Sequence, residues 1–104
     1  PKDGTMVPER PSIEGKIANP NMDVWVVVHP AEVADYWVQQ RLTVKADGTW
    51  RVSAYVGRPG NADVGKHFEI MAVANPKQPL KEGAVLRYWP EAELKSQLID
   101  VTRK

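Results

Sequence analysis

The feature that most constrains this chain is a run of β-branched and aromatic residues, Val-Trp-Val-Val-Val, at positions 24–28. His29 and Pro30 follow it directly, so the run is too short for a helix of ordinary length. Such side chains favour strands, and a strand without polar positions has both faces covered. We therefore predict a buried strand at residues 24–28, with the other strands arranged around it.

Length and composition limit the classes of protein to which the chain can belong. Its 104 residues suit one domain with a single core. The 14 basic and 13 acidic residues are interspersed, so we expect no nucleic acid partner. The longest apolar run is far shorter than the roughly 20 residues of a membrane helix, so we expect no direct membrane insertion. With no cysteine, the chain forms no disulfide and no thiolate site, and its compartment stays open.

The first eleven residues differ in composition from the rest. They hold three prolines and a glycine without a sustained hydrophobic period, which predicts an extended linker at residues 1–11. A single folded domain is then expected at residues 12–104. Because the first residue is Pro rather than Met, we expect the chain to be a fragment of a longer protein.

Several further segments have the composition of strands bounded by turn residues. A hairpin is predicted from residues 36–45 and 49–56, with the turn at residues 46–48. Residues 31–35 are expected to form one helical turn or a loop, and residues 90–95 one helical turn. Other strands are predicted at residues 13–17, 67–74, 84–89 and 98–102. About seven short strands are typical of an antiparallel β-sandwich or a small barrel.

Four blocks of sequence, at residues 24–30, 36–39, 47–50 and 65–70, carry a family likeness. Together they resemble the immunoglobulin-like or fibronectin-like β-sandwich modules of bacterial envelope and surface proteins. The resemblance lies in strand rhythm and aromatic placement, and it lacks the paired cysteines of antibody-type domains. It implies an immunoglobulin-like sandwich that acts as a spacer or in protein–protein interaction, in the cell envelope or outside the cell. It implies no site residues.

Motifs for catalysis and for cofactors are missing from the sequence. The two histidines, His29 and His67, belong to no nucleophile motif. His67 and Glu69 could both bind a metal ion, but a His and a Glu two residues apart often occur by chance. A glycine-rich stretch at residues 57–65 lies between predicted strands, where phosphate-binding loops do not occur, so we expect an ordinary connecting loop. The prediction is a non-enzymatic chain without catalytic residues, metal or cofactor.

The aromatic residues give the best indication of a binding surface. Trp25 is expected in the core, and so is Trp50. In residues 36–45 the alternation directs Val38 inward and leaves Trp37 on the polar face. An exposed Trp among polar groups suits a contact with a partner. The alternative is that residues 30–35 or the linker cover Trp37, because a Trp side chain is usually buried in large part. The predicted binding residues are Trp37, Gln39, Arg41 and Tyr55.

Three binding functions follow from that surface. A protein partner is the first expectation. A carbohydrate-binding module is the alternative, and it requires Trp37 and a second ring such as Tyr55 or Tyr88 to lie coplanar on one exposed face. A nucleic-acid binder of the OB type is the third, and the balanced charge argues against it.

Overall fold

The computed structural model describes residues 2–104, and within them it contains nine strands and no helix. The prediction of an all-β fold is therefore confirmed. Residues 31–35 form turns, and the helical turn expected at residues 90–95 is a strand instead. The strands are β1 Thr5–Val7, β2 Ser12–Lys16, β3 Val24–Pro30, β4 Tyr36–Val38, β5 Thr49–Ser53, β6 His67–Pro76, β7 Val85–Leu86, β8 Ala92–Lys95 and β9 Ile99–Arg103.

The strands form two sheets of unequal size. The larger has the order β1-β9-β6-β3-β4-β7, and β8 pairs with the end of β6 that extends beyond β9. The smaller contains β2 and β5 only. All pairs are antiparallel except β1 with β9, so the expectation of purely antiparallel pairing is wrong at that one place. The described residues include no helix long and apolar enough to cross a membrane.

Strand β3 is the centre of the larger sheet, and its six residues from Val24 to His29 are all buried. It pairs with β6 along its whole length, from Val24 opposite Ala74 to Pro30 opposite Phe68. On its other edge it pairs with β4. The prediction of a central strand with both faces covered is confirmed.

Each face of the larger sheet has its own hydrophobic cluster. On one face the side chains of Val24, Val26 and Val28 pack against the smaller sheet, which contributes Trp50 and Val52. On the other face Trp25 packs with Val38 and Val73, and partly buried side chains from residues 80–92 cover them. Both Trp25 and Trp50 are buried as predicted, but they lie in different clusters.

The predicted hairpin of residues 36–45 with 49–56 does not form. Strand β4 ends at Val38, and β5 pairs with β2 instead. The turn itself is present, since the Gly48 amide donates to the Lys45 carbonyl at 2.8 Å. Residues 39–45 cross from one sheet to the other, and Leu42 and Val44 pack against the first cluster on the way. Their alternation therefore reflects contact with the core, without strand pairing.

Residues 1–11, predicted as a linker, contain β1. This strand pairs in register with β9, from Thr5 opposite Val101 to Val7 opposite Arg103, and Val7 is buried. The chain then moves to the smaller sheet, where Glu9 and Pro11 accept backbone hydrogen bonds from Val56 and Ala54. A segment without an apolar period joins the fold because backbone pairing does not depend on side-chain pattern.

We expect Trp25→Ala to lower the free energy of unfolding by about 3–5 kcal/mol, because a large ring that is 2 % exposed leaves a cavity in the second cluster. Urea denaturation measures the loss. Tyr88→Ala is the control, since Tyr88 is 68 % exposed and its loss should cost within about 0.5 kcal/mol. Equal losses for the two variants would contradict the assignment of Trp25 to a core.

Candidate ligand-binding cleft

A cleft of about 360 Å³ lies beside the point where β3 ends and β6 begins. Three parts of the chain form it: the end of β3 with the turns that follow, β4, and the connection from β5 into β6. Its volume falls in the range of about 300–1,000 Å³ that is usual for ligand sites. The lining residues are Pro30, Glu32, Val33, Asp35, Trp37, Arg58, Asp63, Lys66, His67 and Phe68.

Trp37 contributes to the apolar part of this cleft and is partly buried. In the sheet Trp37 lies opposite Val28 of β3, so its side chain is on the face of the larger sheet that carries the first cluster. Val38 lies opposite Val27, on the other face. Trp37 thus lies on the opposite face of β4 from Val38, as the alternation predicts, but that face is not open to solvent as an outer polar surface. Trp37 is partly buried in a cleft that residues 30–35 also line, which agrees with the alternative that this segment covers it.

Asp63 fixes the charged side of the cleft. Its side chain is 7 % exposed, and its carboxylate accepts hydrogen bonds from the Arg58 amide at 2.7 Å and the Arg58 guanidinium at 3.0 Å. Lys66 Nζ lies 3.3 Å away. The hydrogen bonds from Arg58 hold the pKa of Asp63 well below its ordinary value of 3.8, against the opposing effect of burial. Asp63 is thus a carboxylate at neutral pH, with Arg58 at the rim.

His67 is oriented by a neighbouring carboxylate. Its Nδ1 lies 3.1 Å from Oδ1 of Asp100, and because a carboxylate only accepts, Nδ1 carries the hydrogen in this contact. In the neutral ring Nε2 is then left as an acceptor. Within the described residues no group of three or more His, Asp or Glu side chains is arranged to hold a metal ion.

His29, the other candidate histidine, does not line the cleft. Its Nδ1 lies 2.9 Å from the Asp35 carbonyl, and its ring stacks on Tyr36 with 3.9 Å between centroids. Trp89 meets both rings edge-on. His29 Nε2 is 3.8 Å from Glu69. These contacts make His29 part of an aromatic cluster that ties the last strand residues of β3 to β4.

The glycine-rich loop at residues 57–65 surrounds a buried cation. Arg103 is 3 % exposed, and its guanidinium donates to the carbonyls of Val56, Arg58 and Gly60 at 2.9, 2.8 and 2.5 Å. A phosphate-binding loop presents free amide N–H groups, whereas here the carbonyl oxygens bind Arg103 and the Arg58 and Gly60 amides already donate to the carboxylates of Asp63 and Glu9. Its role is to hold an arginine and so to fix the loop that carries Arg58 and Asp63. Sequence reasoning missed Arg103, since a single charge near the end of a chain resembles a solvated one.

The other predicted binding residues do not join Trp37 in the cleft. Gln39 is buried, and it links the two sheets by accepting from the Tyr55 amide at 2.7 Å and donating to the Trp37 carbonyl at 3.2 Å. Arg41 lies over the ring of Trp25, 5.0 Å from its centre. The exposed ring of Tyr55 has the guanidinium of Arg10 against it at 3.8 Å. The four residues therefore do not form one surface.

A second cavity, of about 440 Å³, lies between β2 and β8, at the other end of the β3–β6 pair. Its floor is apolar and includes Val24, Ile70 and Ala72. Charged and polar side chains from β2 and from residues 95–97 stand at its rim. Sequence reasoning gave no sign of this cavity, because it depends on how the two sheets are offset.

No protein-family model matches the chain, and comparisons with curated proteins and with solved structures likewise find no match.

We expect Asp63→Asn to lower the free energy of unfolding at pH 7 by about 1–3 kcal/mol, because a buried acceptor of charged hydrogen bonds is replaced. The pKa of Asp63 is lower in the folded state, so its stabilisation is present above the unfolded pKa near 3.8 and is lost as pH falls below it. Urea titrations from pH 7 to pH 2 should therefore show the two proteins converging in acid.

Glu32→Gln is the control for that pH series. Glu32 also lies near Lys66, at 3.7 Å, but it is exposed, so its loss should cost less than about 1 kcal/mol. A gap between the wild type and Asp63→Asn that stays constant down to pH 2 would contradict the assigned role of the Asp63 carboxylate.

Substitutions at two glycines of the loop at residues 57–65 test how closely this loop packs around Arg103. Gly57 and Gly60 have φ of 86° and 90°, so alanine at either position should cost about 1–2 kcal/mol for the left-handed backbone. A Cβ at Gly57 would lie 2.9 Å from Asp63 and 3.0 Å from Arg103, whereas one at Gly60 meets nothing within 4 Å. Gly57→Ala should thus cost a further ~1–3 kcal/mol for overpacking. Equal losses in thermal or urea unfolding would contradict the crowding at Gly57.

Proposed function

We propose that the chain is an immunoglobulin-like β-sandwich module. The pairing order supports this: β2 with β5, and β3 with β6 and β9, correspond to strands B and E and strands C, F and G of such a sandwich. Strand β4, next to β3, then corresponds to the extra strand C′ of variable-type domains. Strands β7 and β8 would be an insertion between F and G that covers the outer face of the larger sheet.

We infer further that the module is non-enzymatic and acts by binding a protein, with the Trp37 cleft as the contact. The observation that carries this is the combination of an aromatic floor, Trp37 and Phe68, with a charged rim in one concave site. Trp and Arg in a partly desolvated pocket are the residues that most often dominate protein contacts. Arg58 is held at the rim by Asp63, so little side-chain entropy is lost when a partner binds.

The arrangement around His67 supports a binding role over catalysis. Thr102 Oγ1 lies 3.5 Å from Nδ1, the nitrogen that already contacts Asp100. A nucleophile would need to contact the opposite nitrogen, Nε2, and within the described residues no hydroxyl group hydrogen-bonds to it.

A protein partner is favoured over a carbohydrate by the state of the aromatic rings. A sugar platform needs two flat, exposed rings on one face. Trp37 is partly buried, Tyr55 is outside the cleft, and the guanidinium of Arg10 occupies one of its faces. A concave site with a single accessible Trp fits an inserted side chain better than a stacked sugar ring.

Selection of peptides from a random displayed library tests the proposal. Peptides selected on the wild-type module should bind Trp37→Ala more weakly by about 2 kcal/mol or more, the scale of an interface hot spot. Tyr55→Ala should bind them as the wild type does, because Tyr55 lies outside the cleft. Titration calorimetry measures both affinities, and thermal melts check that both variants are folded.

A glycan array run in parallel separates the two classes of partner. Glycan binding that depends on Trp37, without any selected peptide, would overturn the protein-binding proposal in favour of the carbohydrate alternative. Selected peptides that bind Trp37→Ala and the wild type equally would remove the cleft as the contact.

A further inference from the structure

We propose that the free edge of β2 is a second docking site, independent of the Trp37 cleft, for an extended peptide that adds to the smaller sheet as its third strand. The peptide would place alternate apolar side chains into the cavity between β2 and β8, and acidic residues at its ends would meet lysines at the rim. This mode of recognition is β-augmentation, in which main-chain hydrogen bonds give affinity and pockets give specificity.

Only alternate residues of β2 direct their backbone N–H and C=O groups toward β5. In this antiparallel pair Ile17 N–H donates to Gly48 and Ala54 N–H donates to the Pro11 carbonyl, so odd-numbered residues of β2 point their backbone groups toward β5. The N–H and C=O groups of Ser12, Glu14 and Lys16 therefore point away from β5. Within the described residues no strand pairs with that edge.

The space beside this edge is apolar and concave. The cavity of about 440 Å³ has Ile70 and Ala72 of β6 in its floor and Leu94 of β8 on its far side. Gly15 makes room for the ring of Trp50, which a Cβ at that position would overlap, and both residues line the cavity. Because the smaller sheet has only two strands, part of the main core cluster, including Ile70 and Ala72, lines an open cavity.

Charges at the rim select the chemistry of the peptide. Lys16 and Lys95 both line the cavity, and within the described residues neither has an ion-pair partner within 4 Å. Glu14, the acidic residue at the same rim, is already paired with Arg51 at 2.6 Å. The free charges at the rim are therefore positive, which favours a strand with acidic residues beside its apolar ones.

A second copy of the chain is a poorer occupant. The facing strand is β8, which has four residues, and two of its exposed side chains are the charged Glu93 and Lys95. Short strands with charged side chains are the usual means by which sheets avoid edge-to-edge association. Pairing of two copies through this cavity would also bring the same lysines together.

The probe is a fluorescein-labelled peptide, Glu-Val-Thr-Val-Thr-Val-Glu, measured by fluorescence polarisation against the full chain. A permuted peptide of the same composition, Glu-Val-Val-Val-Thr-Thr-Glu, breaks the period of two and should bind at least tenfold more weakly. Two N-methylated forms of the regular peptide provide a further test. Methylation of the alternate amides that face β2 should abolish binding, and methylation of those that face away from β2 should leave binding unchanged.

Two proline variants test the edge in the protein. Glu14→Pro removes an N–H that points away from β5, and Arg51→Pro removes the corresponding N–H on the opposite edge of the same sheet. Both also remove the Glu14–Arg51 ion pair and leave one exposed charge without its partner, so binding is measured at high salt, which screens that difference. Glu14→Pro should weaken binding at least tenfold, while Arg51→Pro should leave the affinity as it is.

The same assay distinguishes this proposal from the one on the Trp37 cleft. Trp37→Ala should bind the strand peptide as the wild type does, and a loss there would assign the peptide to the cleft and overturn the edge proposal. Equal binding of the regular and permuted peptides, or of both N-methylated forms, would also overturn it. So would concentration-dependent dimerisation in analytical ultracentrifugation that Glu14→Pro abolishes, because the occupant would then be a second copy.

Discussion

The pairing of β3 with β6 is the interaction on which the rest of the structure depends. Seven residue pairs join the two strands, and six consecutive residues of β3 are buried. A strand with both faces apolar must be covered twice, which a single smaller sheet cannot do. The second covering comes from residues 80–92, which pack on Trp25, Val38 and Val73. Strands β7 and β8 thus help to bury the second face of β3.

At one end of the β3–β6 pair, a buried charged side chain orders a loop. Arg103, at the end of β9, is enclosed by carbonyls of the glycine-rich loop, and the same loop carries Arg58 and Asp63 into the Trp37 cleft. The rigidity of the cleft rim follows from this cradle.

The two candidate surfaces lie at opposite ends of β3 and β6 and differ in kind. The cleft beside Pro30 and Phe68 is a pocket in which side chains would provide recognition. The cavity beside Val24 and Ala74 offers an unpaired strand edge over an apolar floor, so main-chain groups would provide it. On the two proposals together, the chain would hold two segments at once without a change in fold.

The sequence alone determined that the chain is all β and that residues 24–28 are its buried centre, because β-branched runs and turn residues act locally. Tertiary structure alone decided which strands pair and what covers each face. Trp37 alternates with Val38 as the sequence requires, yet Trp37 is partly buried in a cleft and Val38 is buried in a core cluster, since period two cannot reveal what packs on each side. Gln39, Arg103 and β1 were unpredictable for a related reason: their partners are backbone groups distant in the chain, and side-chain pattern carries no record of such bonds.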